Sequence, residues 1–272
     1  MNLDYMRKIF SLEGKYAVVT GGSSGIGRGI ARSLANLGAK VTVLGRNRLE
    51  LEKSCEMIRN EGGICDYAAV DIADKEAVDC FFAQYRQQGH NLDIFVANAG
   101  INIRGELLNT TIEDMESLIN VNYKGTLYGL IHSGEWMKEQ KSGNIVVISS
   151  VNGISAMPNL AVYSSLKYAL EGIVRSLAAS LAPYGVRVNS CAPGVIQSKI
   201  NEHIYANPEN RRSKLETIPL GMLGEPADIG DVVAFMVSDA SRFMTGTTIL
   251  VDGGELLRKM QRQKLDEINP TL

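Results

Sequence analysis

The chain has 272 residues, of which 45% are hydrophobic and 21% charged, as is ordinary for a globular protein. Lys and Arg number 28 against 30 Asp and Glu, and the resulting formal charge of −2 does not suit a dedicated nucleic-acid binder. The apolar runs are shorter than the roughly 18 residues of a membrane-spanning helix, and residues 1–10 lack the apolar centre of a signal peptide. We therefore expect a cytoplasmic protein without membrane or nucleic-acid partners.

Short apolar, β-branched segments alternate along the chain with longer amphipathic segments. The predicted strands are 16–20, 40–44, 65–70, 93–97, 144–149, 186–191 and 248–251. The predicted helices are 26–37, 48–60, 74–88, 111–137 with a bend near Gly125, 163–182 and 228–238. Near-continuous apolar strands are typical of a parallel sheet that is buried on both faces. We predict a single α/β domain over residues 1–272, with a doubly wound, seven-stranded parallel sheet and helices on both faces.

The cysteines and histidines give no sign of a disulfide framework or a metal site. The four cysteines are Cys55, Cys65, Cys80 and Cys191. They form no Cys-x-x-Cys pair, and a reducing compartment is the default for such a chain. The three histidines do not cluster, so we expect no bound metal ion.

A glycine-rich turn separates the first predicted strand from the first predicted helix. Gly21 allows a sharp turn, Gly25 lets the backbone approach a pyrophosphate, and Gly27 allows close packing of the helix on the strand. The exposed N–H groups and the positive end of the helix attract phosphate. A loop without a ligand is the alternative, but the position after a buried strand favours dinucleotide binding. The predicted binding turn comprises Gly21, Ser23, Ser24, Gly25, Ile26 and Gly27.

The end of the second predicted strand indicates which dinucleotide is bound. An NAD site usually has an acidic residue here, which holds the adenosine ribose. This chain has Gly45, followed by Arg46 and Asn47. A guanidinium can bind a 2′-phosphate through two parallel hydrogen bonds, whereas a carboxylate would repel it. Arg46 could instead be a solvated residue at a helix start, but we predict NADP in preference to NAD, with Arg46 and Asn47 among the residues that bind it.

Tyr163 and Lys167 are four residues apart, so they share one face of a helix. A phenol titrates near pH 10 and is too weak a base at neutral pH. A neighbouring ammonium favours the phenolate, which would lower the pKa of Tyr163 and make it a usable proton donor and acceptor. Taken alone, the pair could equally be an ordinary surface pair, because the chain has ten tyrosines and chance spacing is frequent.

Further motifs follow in a fixed order along the chain. They are Thr20 before the glycine turn, Asn98-Ala99-Gly100, Asn122, Ser149-Ser150, Tyr163-x-x-x-Lys167, Pro193-Gly194 and Val251-Asp252-Gly253-Gly254. In this order and spacing they resemble the short-chain dehydrogenase/reductase family, from about residue 12 to residue 254. The resemblance implies a Rossmann-like fold and hydride transfer between a nicotinamide and a secondary alcohol or ketone.

The resemblance also implies roles for four residues. Tyr163 donates a proton to a carbonyl oxygen, and Lys167 lowers the pKa of Tyr163 and holds the nicotinamide ribose. Ser150 hydrogen-bonds the substrate oxygen, and both strand alternation and the spacing to Tyr163 favour it over Ser149. Asn122 helps to hold a water that links Lys167 to solvent. A polar residue at a helix bend and a cap at a strand end are the structural alternatives for Asn122 and Ser150.

Other residues are expected at the cofactor by the same resemblance. Asp71 and Ile72 are expected at the adenine, with Asn98, Ala99 and Gly100 on the adenosine ribose side. Pro193, Gly194, Ile196 and Ser198 are expected along the nicotinamide.

The segment 197–220 has no clear period, and in this family it forms a mobile lid over the substrate. Arg211, Arg212 and Lys214 could meet an acidic substrate there. We favour a solvated charge run for these residues, and we expect His203 to be a solvated loop residue.

Two substrate classes stay open. Residues 10–15 resemble gluconate dehydrogenase-type members, which favours a small polyol, sugar or sugar acid. The alternative is a 3-oxoacyl group on acyl carrier protein, whose reductases need a basic docking surface, and Tyr184 stands where a basic residue would help. A non-catalytic nucleotide-binding protein is disfavoured because Ser150, Tyr163 and Lys167 are all present.

The resemblance implies a homotetramer, with a homodimer as the second choice. In this family the helices predicted at 111–137 and 163–182 pair between subunits. Small residues would permit close contact there, namely Ala169, Gly172, Ala178 and Ala179. Residues 255–272 extend beyond the usual end of the family, with Leu256, Leu257, Met260 and Leu265 at helical spacing. We expect a short helix docked on a neighbouring subunit, with a frayed tail as the alternative.

Overall fold

The computed structural model describes residues 3–198, 202 and 206–257. Its strands are β1 Tyr16–Thr20, β2 Lys40–Gly45, β3 Ile64–Ala69, β4 Ile94–Ala97, β5 Gly143–Ile148, β6 Val186–Pro193 and β7 Thr248–Val251. They form one sheet in the order β3-β2-β1-β4-β5-β6-β7, and every neighbouring pair is parallel. This confirms the predicted doubly wound, seven-stranded sheet, in which the strand order reverses between β1 and β4.

Helices cover both faces of the sheet, as predicted. They are α1 Leu3–Phe10, α2 Gly25–Asn36, α3 Arg48–Asn60, α4 Lys75–Arg86, α5 Ile112–Leu118, α6 Thr126–Gln140, α7 Ala161–Leu181, α8 Pro208–Leu215 and α9 Pro226–Val237. Along β1, Ala17 and Val19 join the core formed with α2, α3 and α9. Val18 points to the opposite core, formed with α4, α6 and α7. The two cores fix the sheet between two helical layers.

The helix predicted over 111–137 is divided in the structure. A π-helical segment, Ile119–Gly125, separates α5 from α6. Inside it, the Asn122 side chain hydrogen-bonds the backbone of Ile101. A Cβ on Gly125 would lie 2.7 Å from the Ile72 carbonyl oxygen, so the segment packs closely on the loop after β3. The bend expected near Gly125 is therefore a widened helical turn, which is often found at functional sites.

Two helices, α1 and α8, were not predicted from the sequence. In α8 every side chain is exposed or only half-buried, so the apolar period that reveals a helix in a sequence is missing. The helix begins at Asn207, whose side chain accepts hydrogen bonds from the backbone N–H groups of Glu209 and Asn210. A cap of this kind stabilises a short helix without help from a core.

The described part of the C-terminal extension is short. Residues 255–257 are helical, and residues 258–272, with Met260 and Leu265, lie outside the described residues. Docking of this extension on another subunit stays a prediction. None of the described helices is both long and apolar enough to cross a membrane.

The small residues proposed for subunit pairing do not all face outward. Ala169, Gly172 and Ala179 are exposed on α7, but Ala178 is 2% exposed and packs inside the chain. Pairing between subunits through this face stays a prediction, and Ala178 is not part of the surface.

Candidate active site

A cleft of about 730 Å³ opens at the carboxyl end of the sheet. Six strands contribute to its wall through residues at or just beyond their ends: Gly21, Gly45, Val70, Asn98, Ser149 and Gly194. The cleft therefore lies where the strand order reverses, which is the usual place for a ligand in an open α/β sheet.

Most of the predicted site residues line this cleft. They are Gly21, Ser23, Ser24, Gly25, Ile26, Gly27, Arg46, Asp71, Ile72, Asn98, Ala99, Gly100, Ser150, Tyr163, Lys167, Pro193, Gly194 and Ser198. Three predicted residues lie outside its wall. Asn47 caps α3, accepting a hydrogen bond from the Glu50 N–H at 3.2 Å, and Ile196 is 2% exposed in the core. Asn122 is 1% exposed and lies behind the wall.

The glycine turn has the geometry of a phosphate-binding turn. Gly21 has a φ of +70°, which a residue with a side chain rarely adopts. A Cβ on Gly27 would lie 2.2 Å from the Gly21 carbonyl oxygen and 2.5 Å from Asn98 Nδ2, so only glycine fits. The start of α2 then points its free N–H groups toward the cleft. The turn and the volume of the cleft fit a dinucleotide.

Arg28 holds this turn in place, a role that the sequence analysis did not find. Its Nη2 donates to the Ser23 carbonyl oxygen at 2.5 Å and lies 3.2 Å from Glu50 Oε2. Its Nε donates to Ser54 Oγ at 2.9 Å. The guanidinium therefore links the turn to α3. Because Glu50 and Ser54 are far from Arg28 in the sequence, this role is visible only in the structure.

Thr20 and Asn98 join the two central strands below the cleft. Thr20 Oγ1 accepts hydrogen bonds from the N–H groups of Asn98 and Ala99, at 2.9 and 3.0 Å. Asn98 Nδ2 donates to the Thr20 carbonyl oxygen at 2.8 Å. These bonds fix the backbone on which Asn98, Ala99 and Gly100 reach the cleft wall.

The end of β2 offers a basic side chain and no acid. Gly45 and Arg46 both line the cleft, and Arg46 is exposed to solvent there. A Cβ at Gly45 would lie 3.4 Å from Leu51 Cδ2 and 3.5 Å from Ser23 Oγ. This end of the cleft therefore suits an anionic group beside Arg46.

Ser150 and Tyr163 meet at the other end of the cleft. Ser150 Oγ accepts a hydrogen bond from the Asn152 N–H at 3.1 Å. Burial raises the pKa of Tyr163, and a hydrogen bond with Ser150 acts in the opposite direction. The predicted lowering of the Tyr163 pKa by Lys167 is therefore wrong for this arrangement. Burial costs the phenolate more hydration free energy than the hydrogen bond with Ser150 restores, so the neutral phenol is favoured.

Lys167 lies beneath the Tyr163 ring. Its Nζ donates to the Ile148 carbonyl oxygen at 2.8 Å and lies 5.6 Å from the centroid of the ring. Burial lowers the pKa of Lys167 to about 8, and the charge of Glu171 opposes the change. Burial, and not the Lys167 ammonium, therefore sets the direction of the Tyr163 pKa shift.

Asn122 supports the wall from behind. Its Nδ2 donates to the Ile101 carbonyl oxygen at 2.9 Å, and its Oδ1 accepts from the Ile101 N–H at 2.8 Å. Both ends of the amide are thus committed to the strand-end loop, while the backbone around Asn122 is widened by the π-helical turn. The predicted role in holding a water stays a prediction.

A buried carboxylate lies one helical turn below Lys167. Glu171 is 4% exposed, and both of its oxygens accept from Ser190 Oγ, at 3.0 and 2.9 Å. The hydroxyl of Thr248 donates to the same carboxylate. Two hydroxyl donors can stabilise a buried negative charge. Only the four-residue spacing from Lys167 could have indicated Glu171 in the sequence.

The segment 197–220 closes one side of the cleft through α8. Asn210, Ser213, Lys214 and Thr217 line the wall. Lys214 Nζ is 2.5 Å from Glu255 Oε1, and the two side chains are 19% and 2% exposed. The interpretation as a solvated charge run is therefore wrong for Lys214.

The prediction of a solvated charge run is confirmed for the other two basic residues of the segment. Arg211 and Arg212 are exposed, as a solvated charge run requires. His203 lies outside the described residues, and the mobility of the segment stays a prediction.

The buried polar atoms of the cleft wall include Asn102 Oδ1, Ser149 Oγ and Asn152 Oδ1, which have no hydrogen-bond partner among the described residues. A buried acceptor without a donor is costly, so such atoms usually meet a ligand or water. Asn102 and Asn152 were not predicted as site residues, although Asn152 lies only two residues after Ser150.

A Rossmann-like sheet, a glycine turn at its switch point, and a tyrosine beside a buried lysine define a nicotinamide-dependent oxidoreductase. The family model described as enoyl-(acyl carrier protein) reductase matches residues 21–255. The oxidoreductase UcpA of Salmonella typhimurium is 36% identical over 253 residues, which cover 90% of this chain and 96% of that protein.

Two further relatives have names that state an activity. The 3-oxoacyl-[acyl-carrier-protein] reductase of Rickettsia conorii is 34% identical over 249 residues, covering 92% of this chain and all of that protein. A gluconate 5-dehydrogenase from Burkholderia cenocepacia, solved with NADP and tartrate, superimposes with a TM-score of 0.87 at 30% identity. The match covers 92% of this chain and 98% of that one. The chain belongs to the short-chain dehydrogenase/reductase family, whose members act on CH–OH groups with NAD(P).

Proposed function

We propose that the protein is an NADP-dependent oxidoreductase acting on a small, hydroxylated substrate, namely a polyol, sugar or sugar acid. The observation that carries the proposal is the set of buried oxygens on Asn102, Ser149 and Asn152 in the cleft wall. Several hydroxyl groups on one small molecule would supply the donors that these oxygens need. The likeness to the gluconate 5-dehydrogenase from Burkholderia cenocepacia supports the same substrate class.

The proposed chemistry uses three side chains of this chain. When bound, the nicotinamide supplies the site of hydride gain or loss. Tyr163 gives its phenolic proton to the carbonyl oxygen during reduction, and its raised pKa keeps that proton in place at neutral pH. Ser150 hydrogen-bonds the same oxygen as negative charge develops on it. The Lys167 ammonium lies beneath the Tyr163 ring and supplies a positive charge close to the reacting groups.

A 3-oxoacyl thioester is the second candidate substrate. Val151, Met157 and Leu160 line the same cleft and could contact an acyl chain. The likeness to the 3-oxoacyl-[acyl-carrier-protein] reductase of Rickettsia conorii supports this candidate.

A reductase assay separates the two candidates. NADPH oxidation would be followed with keto-sugar acids, keto-polyols, 3-oxoacyl thioesters and simple cyclic ketones. We expect kcat/KM to be highest for a hydroxylated ketone, and Asn152→Leu to reduce that value while sparing the simple ketone. A higher kcat/KM for the 3-oxoacyl thioester would support the second candidate and contradict the first.

The choice of NADP depends on Arg46. In Arg46→Asp, a carboxylate would repel the 2′-phosphate that the guanidinium now attracts, so KM for NADPH should rise by about tenfold or more while KM for NADH changes little. Arg48→Asp is the matched control, because Arg48 is also exposed but does not line the cleft. Equal KM values for NADPH in the wild type and Arg46→Asp would show that Arg46 does not bind the phosphate.

Glu171 should set the alkaline limit of ketone reduction. Lys167 has a pKa lowered to about 8, so it loses its charge as the pH rises through that value. Because the Glu171 charge raises this pKa, Glu171→Gln should move the alkaline limb of kcat/KM to lower pH, by about half a unit or more. Ser190→Ala is the control, since it removes one hydroxyl donor and keeps the charge. Superimposable pH profiles for wild type and Glu171→Gln would contradict this role.

A further inference from the structure

Two thiols lie side by side in the interior, away from the cleft. Cys55 on α3 and Cys65 on β3 are 0% and 1% exposed, and their sulfur atoms are 2.7 Å apart. Both are free cysteines. The separation exceeds the S–S bond of about 2.05 Å by well under 1 Å. Forming a bond would therefore need only a small movement of the two side chains.

The backbone already holds the two cysteines in this position. A short turn at residues 61–63 joins α3 directly to β3, and the Gly63 N–H donates to the Ile58 carbonyl oxygen at 3.0 Å. Arg59 and Asp66, which also belong to α3 and β3, form an ion pair at 3.0 Å. Cys65 lies opposite Val41 in the paired strands, which fixes its register. The turn and the pairing of β3 therefore hold the two thiols in contact.

We propose that Cys55 and Cys65 form a reversible disulfide when the protein meets hydrogen peroxide, and that this bond is a redox-dependent clamp between α3 and β3. β3 is an edge strand, and Ile64 at its start is 53% exposed. Local opening of such an edge admits a molecule of nearly the size of water. Hydrogen peroxide is therefore small enough to reach the two thiols.

The reaction balances with one peroxide. The Cys55 thiolate attacks a peroxide oxygen, the O–O bond breaks, and a sulfenic acid and hydroxide are formed. The Cys65 sulfur then displaces the hydroxyl group from Cys55 sulfur, and its own proton leaves with that hydroxyl as water. Two thiols and one hydrogen peroxide become one disulfide and two waters, so the sulfurs are oxidised and the peroxide oxygens reduced.

The surroundings favour Cys55 as the attacking thiol. The hydrogen bond with Cys65 lowers the pKa of Cys55, and Arg59 acts in the same direction. The same contact and burial raise the pKa of Cys65. By contrast, burial raises the pKa of Cys191 to about 12.

The clamp would act on the edge of the sheet beside the adenosine end of the cleft. α3 begins two residues after Arg46, and β3 ends two residues before Asp71, and both of those residues line the cleft. A disulfide between α3 and β3 restricts the unfolded chain. We therefore expect the oxidised protein to unfold at a higher temperature than the reduced protein.

Peptide mapping tests the bond directly. Trypsin cuts after Lys53, Arg59 and Lys75, which leaves Cys55 and Cys65 in separate peptides, 54–59 and 60–75. The Cys80→Ser protein, which lacks the exposed thiol, would be treated with hydrogen peroxide, alkylated and digested without a reductant. We expect the two peptides joined, two hydrogens lighter than their sum, and separated by dithiothreitol. Unlinked peptides with alkylated cysteines, or a sulfinic acid on Cys55, would overturn the proposal.

Matched variants test the clamp. In the Cys80→Ser background, Cys55→Ala should lose both the joined peptides and the rise in unfolding temperature after peroxide treatment. Cys191→Ser should keep both, because Cys191 lies in β6. The mapping needs no change at Cys55 or Cys65, so its result stands even if Cys55→Ala does not fold. A joined peptide pair without any shift in unfolding temperature would retain the bond and overturn the clamp.

Discussion

Replacing Tyr163 by phenylalanine is expected to lower kcat for ketone reduction by about 10²–10⁴-fold, the usual contribution of a positioned proton donor. The variant keeps the ring that packs over Lys167 and loses only the hydroxyl that hydrogen-bonds Ser150. Binding of NADPH, measured by fluorescence titration, should therefore stay nearly unchanged. The loss belongs to kcat because proton transfer matters only in the transition state.

Tyr168→Phe is the control for that measurement. Tyr168 lies five residues further along α7, is 46% exposed, and its hydroxyl donates to the Ile154 carbonyl oxygen. Tyr168 does not line the cleft. Wild-type turnover in Tyr163→Phe, or an equal loss in both variants, would remove Tyr163 as the proton donor.

Replacing Gly27 by alanine is expected to weaken NADPH binding by about tenfold or more, since forcing a methyl group into a packed site costs about 1–3 kcal/mol. The new Cβ would lie 2.2 Å from the Gly21 carbonyl oxygen, so the turn itself must move. The dissociation constant for NADPH would be measured by fluorescence titration, with circular dichroism to show that the variant is folded.

Gly134→Ala is the matched control for Gly27→Ala. Both glycines are in helices and buried, but a Cβ on Gly134 would meet only Leu181 Cδ1, at an ordinary 3.5 Å. Gly134→Ala should bind NADPH as the wild type does. A folded Gly27→Ala protein with unchanged affinity would show that the turn does not hold the phosphates.

The sequence determined the sheet and the place of the cleft. Strands β1 and β7 and helix α3 begin and end where the sequence predicted, because strand and helix periods are local properties of the chain. The glycine turn was also predictable, since its spacing reflects local backbone demands. The four-residue spacing placed Tyr163 and Lys167 on one helical face, and the resemblance to the family made them catalytic candidates. Each of these features depends on residues that lie close together in the sequence.

Only the tertiary structure decided the electrostatics of the site. The sequence predicted a lowered pKa for Tyr163, whereas burial in the cleft wall raises it, because the phenolate loses hydration there. Glu171 meets Ser190 and Thr248 across 19 and 77 residues of chain, and Lys214 meets Glu255 across 41. No local pattern encodes such contacts. They exist because packing the helices on the sheet brings distant side chains out of water together, where each charge then depends on its new neighbours.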